Sequence, residues 1–119
     1  KNMQKKLFWG GFAWVLIVAT LVVGLNREEG KLKRDTAVET DRAVGNAISQ
    51  YKKSTSEGVN MASGPCLSND LMPGWVVDVI HAPREEIDDF AENQCAAYRE
   101  GRAQHIVELD QSGNVVRVK

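Results

Sequence analysis

Two cysteines and two histidines hold most of the chemical potential of this sequence: Cys66, His81, Cys95 and His105. Two thiolates and two imidazoles can make a tetrahedral zinc set. Structural zinc sites usually space their ligands as close pairs, whereas here the gaps are 14, 13 and 9 intervening residues. The simpler reading is a Cys66–Cys95 disulfide beside two ordinary histidines, with metal binding by Cys66, His81, Cys95 and His105 as the alternative. Closing a loop of about 30 residues contributes roughly 3–4 kcal/mol in the chain-entropy model, a large sum for a small core. Such a bond implies an oxidising compartment.

Other polar clusters point to less. Glu85, Glu86, Asp88, Asp89 and Glu92 offer oxygen ligands for calcium, but they lack the alternating spacing that aims several oxygens at one ion, so they read as a solvated acidic face. Asp78 and His81 stand three apart on an expected strand and point to opposite sheet faces. Ser63 and Ser68 flank Cys66 without a Gly-x-Ser-x-Gly elbow or a visible base. No phosphate-cradling glycine loop is present. The expectation is a chain that is not an enzyme and carries no cofactor. A net charge of −1 supplies no field for nucleic acid.

The elements that would position these residues begin with an apolar run. Leu7–Leu25 (LFWGGFAWVLIVATLVVGL) contains no charged residue. As a helix its nineteen residues rise about 28 Å, close to the roughly 30 Å of a bilayer core. This predicts a transmembrane helix at 7–25 behind a cytoplasmic tail at 1–6. Trp9 and Trp14 lie in its N-terminal half, Trp9 with Phe8 suits the interfacial belt, and Gly10, Gly11 and Gly24 suit close helix packing. Basic residues flank both ends, so orientation rests on the cysteines: N-terminus in, remainder outside the cytoplasm. The resulting expectation is single-pass anchoring in a lipid bilayer or placement in an extracellular filament.

Residues 26–53 read as a linker, or a helical continuation weakened at Gly30, followed by an amphipathic helix over 35–53. Asp35 or Thr36 would cap that helix. Its assembly face would be Ala37, Val44, Ala47, Ile48 and Tyr51, lying against the chain's own β-domain or against a neighbouring subunit. Residues 54–119 form the expected β-rich domain. Ser54–Pro65 reads as loop and Gly74–His81 as the best strand; His105–Leu109 and Val115–Val118 form a hairpin through Asp110–Asn114. Pro83–Glu100 reads as a short helix and then loop. The fold class is therefore α+β: a transmembrane helix continuing into an amphipathic helix, then a small antiparallel sheet.

An apolar N-terminal helix, the helical stretch Asp41–Tyr51 (DRAVGNAISQY), a Ser/Gly loop and a small β-domain with two cysteines occur here in the order found in type IV pilins and pseudopilins. The layout of this chain resembles that family. Gly11-Phe12 is similar to the family's processing junction, while Leu16 stands where the family carries Glu. The resemblance implies a filament subunit with the helix packed in the filament core, the β-domain facing outwards and Cys66–Cys95 as a pilin-type disulfide loop. The expected role is thus a non-enzymatic assembly subunit that self-associates. An accessory subunit docked to another membrane subunit and an anchored metal-binding or sensing module are the alternatives.

Overall fold

The computed structural model describes the backbone of residues 2–119 and the side chains of residues 14–119. The chain divides into two units, Lys1–Val38 and Glu39–Lys119, and one helix, α1 (Asn2–Ser56), supplies residues to both. In the first unit α1 runs through Asn26–Arg34 without a break. Glu28 with Lys31 and Glu29 with Lys33 place opposite charges at helical spacing there, which offsets the cost of Gly30. Thr20 and Thr36 return their hydroxyls to the Leu16 and Leu32 carbonyls at 2.7 and 2.9 Å, so each hydroxyl finds its acceptor within the helix itself.

The second unit is a four-stranded sheet, in order β1 (Cys66–Met72), β2 (Trp75–Val79), β3 (His105–Leu109) and β4 (Val115–Val118). Pro73-Gly74 turns the chain between β1 and β2, with Gly74 at φ +80°. Strands β2 and β3 run parallel, in register Trp75↔His105 through Val79↔Leu109, while both outer pairs are antiparallel. A parallel pair needs a crossover of a dozen residues or more. Residues 80–104 provide it through 3-10 turns at Glu86–Asp89 and Ala91–Asn93 and one short helix, α2 (Ala96–Arg99).

Alternation along β2 and β3 divides the core between the two sheet faces. On one face Trp75, Val77, Val107 and Leu109 pack under Ala43 and Ala47 of α1, with Tyr51 beside them. The small alanines let the helix lie close to the strands. Tyr51 donates its hydroxyl to the Gln111 carbonyl at 2.7 Å, and Gly113 (φ +88°) sits against its ring, where any Cβ would collide with it. On the other face Val76 and Ile106 pack against Cys95, Ala97 and Ala103 from the crossover. Two residues past the end of α1, Gly58 takes a left-handed backbone (φ +83°), and Gly58 and Val59 donate to the Thr55 and Ser54 carbonyls.

These findings correct several expectations. Among the described residues no helix is long and apolar enough to cross a membrane. The described part of the apolar run offers thirteen residues, Trp14–Asn26, before Arg27, a rise of about 20 Å against the roughly 30 Å required. Leu7–Ala13, with Trp9, Gly10 and Gly11, falls outside the residues whose side chains are described. The transmembrane assignment at 7–25 is therefore not supported, and the single-pass, N-in localisation built on it falls as well. The sheet is mixed rather than antiparallel, because the segment between its central strands is long enough to cross over. No helix starts at Asp35 or Thr36, which lie inside α1.

Candidate functional site

Helical residues advance by about 100°, so five consecutive large apolar residues face every direction around the axis. Trp14, Val15, Leu16, Ile17 and Val18 do this in α1, and Leu21, Val22, Val23 and Leu25 extend the surface. Each of these nine side chains is at least half exposed, from 51% at Val18, Val22 and Val23 to 72% at Trp14. At Gly24 an added Cβ would meet nothing, so another backbone could approach there. Contiguous apolar surface of this kind marks an interaction site.

The residues assigned to an assembly face are distributed differently. Ala47 is fully buried, and Tyr51 packs with it, on the chain's own sheet. Val44 and Ile48 are half-buried at the margin, and Ala37 is exposed in the first unit. Ala43, at the centre of the packed stripe, was not on the expected face. Glu39, one helical turn before Ala43, accepts the Trp75 indole N–H at 2.9 Å.

Cys66 and Cys95 form a disulfide, and no free cysteine remains among the described residues. The two histidines stand apart. His105 stacks on Trp75 with ring centroids 4.6 Å apart, its partner in the parallel register. His81 lies six residues further along the chain from Trp75, about 20 Å at strand rise. No group of three or more His, Cys, Asp or Glu among the described residues is placed to hold a metal.

His81 instead meets Asp88, whose side chain is fully buried. The carboxylate accepts from the His81 ring Nδ1 at 2.8 Å and from the backbone N–H groups of His81 and Glu85 at 3.0 and 2.9 Å. Gly64 makes room for it: at φ +69°, an added Cβ would lie 2.6 Å from Asp88 Oδ1 and 2.9 Å from the Val79 carbonyl. On the far side of the ring, the Gln111 amide donates to the Met61 and Ala62 carbonyls at 3.2 Å. Its two N–H groups are shared among those carbonyls and His81 Nε2, 3.0 Å away, an arrangement that suits a neutral ring accepting at Nε2 and donating from Nδ1 to Asp88.

Burial opposes ionisation of Asp88, but the Glu85 N–H, the His81 ring and the His81 N–H outweigh it and hold its carboxyl below the usual range. The hydrogen bond to Asp88 in turn raises the His81 proton affinity. Stability from that histidine is full below its ordinary value of 6.5 and is lost as pH rises through the raised folded value. Asp88→Asn should therefore lower the His81 titration midpoint, followed by ring-proton NMR, and cost about 1–3 kcal/mol in denaturant unfolding.

A second polar cluster sits on the sheet face away from α1. Asp78 and Glu108 are register partners on β2 and β3, and both are buried. Arg117 grips Glu108 with two bonds of 2.6 and 3.1 Å. Arg84 reaches Glu108 at 3.8 Å and bonds Asp89. Asp78 Oδ1 has no hydrogen-bond partner among the described residues. Burial, and then the neighbouring Glu108, push its pKa up to about 8. Sequence reasoning missed both clusters. Asp88 was hidden in an acidic run, and the one available signal for Asp78 was a carboxylate inside an otherwise apolar β-branched run, Trp75–Ile80.

The fold and exposed helix describe an α+β chain with one face of its sheet closed by its own helix. No protein-family model, curated protein or solved structure matches the chain.

Proposed function

We propose that this chain is a structural assembly subunit, pilin-like in layout, whose α1 packs against α1 of further copies. The observation that carries this reading is the exposed apolar surface formed by nine large side chains between residues 14 and 25 of α1. A single groove on a partner covers one stripe of a helix; a helix apolar on all sides is covered by several neighbours at once. Copies of the same helix supply that surround, and Gly24 permits close backbone approach. The mixed charges of Arg27–Asp35 favour staggered neighbours, in which basic and acidic residues of adjacent helices face one another.

Sedimentation and electron microscopy of the full chain test this. Wild-type protein should form large homo-oligomers or filaments. A single cysteine introduced at Leu16 should cross-link between copies on oxidation, because the native cysteines are already paired. Leu16→Glu with Leu21→Glu should yield monomers whose far-UV dichroism and unfolding transition match wild type. A wild-type chain that stays monomeric to about 100 µM, or that is recovered only with one different protein, would overturn the reading.

A further inference from the structure

Between α2 and the sheet lies a cleft of ≈ 340 Å³ lined by Asp78, Glu108, Tyr98, Arg99, Cys95 and Ile106, among others. That volume falls within the range of small-molecule sites. Its charges are unevenly matched. Glu108 is answered by Arg117, and Arg84 by Asp89. Two groups remain. Asp78 is only 4% exposed, and its Oδ1 has no partner among the described residues. Arg99, exposed and also lining the cleft, makes no ion pair among the described residues.

A buried acceptor without a donor costs about 1–3 kcal/mol, so it marks a place where a donor from outside is favoured. A simple anion would leave that acceptor unanswered, and a simple cation would leave Arg99 unanswered. A molecule with both charges answers both, and Ile106 and Tyr98 offer an apolar wall for what it carries besides. We propose that this cleft binds a small zwitterion of the α-amino acid class, its ammonium donating to Asp78 and its carboxylate accepting from Arg99. This site is independent of the assembly surface on α1, and either reading can fail without the other.

The test uses the full chain carrying Leu16→Glu and Leu21→Glu, to keep it dispersed, and L-leucine as the probe. Amide NMR and calorimetry follow binding at about pH 8.5, above the value of about 8 to which burial pushes the Asp78 carboxyl. Leucine should shift the amides of Asp78, Arg99 and Ile106. 3-Methylbutylamine, which lacks the carboxylate, and 4-methylpentanoate, which lacks the ammonium, should each bind at least about tenfold more weakly. Asp78→Asn and Arg99→Gln should each lower leucine affinity by a similar factor while the amide spectrum stays dispersed. No shift at those amides up to about 10 mM leucine would overturn the proposal. So would a one-charge analogue binding as tightly as leucine, or unchanged affinity in Asp78→Asn.

Discussion

Denaturant unfolding of the Glu39–Lys119 unit is expected to show stability falling by several kcal/mol as pH rises from about 4 to about 8, with Asp78→Asn abolishing most of the fall. The sign follows from Asp78, whose carboxyl moves from 3.8 to about 8 because burial and then Glu108 disfavour its charge. Between those values the unfolded chain has released this proton and the folded chain still holds it. Stability therefore declines across the window and levels off above it. Arg84 and the Val79 N–H act against the shift, and Asp88 adds to it. Arg117, Arg99 and Tyr98 complete the ionisable surroundings of the cleft.

Asp78→Asn removes the charge and keeps the shape, so near pH 8.5 it should exceed wild type by about 1–3 kcal/mol. The His81–Asp88 pair contributes in the same direction above pH 6.5. Below pH 4 the opposite trend enters, because Asp88 and Asp110 hold depressed values when folded. Asn114 supplies the largest contribution at Asp110, through its backbone N–H and its side chain. Chemical denaturation of wild type and Asp78→Asn at several pH values checks the whole profile. A flat wild-type profile between pH 5 and 8 would show that Asp78 ionises freely in the folded chain.

Replacing both cysteines, Cys66→Ala with Cys95→Ala, is expected to cost about 3.5 kcal/mol. The bond closes a separation of 29 residues and ties β1 to the crossover just before α2. A unit of about 80 residues has a total stability of roughly 4–12 kcal/mol, so the loss is a large fraction of it. The crossover depends on this link because its longest helix has four residues and its other turns have three or four. Apart from the disulfide, β1 holds α2 through Asn69, whose side-chain oxygen accepts the Ala97 N–H at 2.9 Å. Hydrogen exchange should rise first over residues 80–104, while β2 and β3 keep their protection. Equal acceleration across all four strands would mean that the sheet itself depends on the bond.

Wherever a short window holds the whole cause, the residues announce the structure. Strands β3 and β4 and their Asp110–Asn114 turn were legible, because hairpin pairing is local and Gly113 marks the positive φ. The cysteine pairing was legible as well, since close-paired metal spacing was lacking. The helical periodicity of 35–53 was visible, but its centre was displaced: alanines at 43 and 47 give a weak hydrophobic signal, and only contact with Trp75 and Val77 makes them the buried line. Strand β1 escaped notice because Cys66–Met72 (CLSNDLM) has no β-branched residue; pairing with β2 holds it, across two register irregularities.

The chemistry-bearing residues divide in the same way. The sequence by itself determined the apolar run of α1, the disulfide and the separation of charged from β-rich segments, because each depends on residue type and near spacing. Only the tertiary structure decided the parallel pairing of β2 and β3, and with it the Asp78–Glu108 neighbours, since that register joins residues thirty positions apart. It also decided which member of the acidic run is buried. Asp88 differs from Asp89 in nothing but position, and becomes a buried partner of His81 because a 3-10 turn aims it beneath Gly64. Burial and pairing across long sequence separations are properties of packing, and no local pattern encodes them.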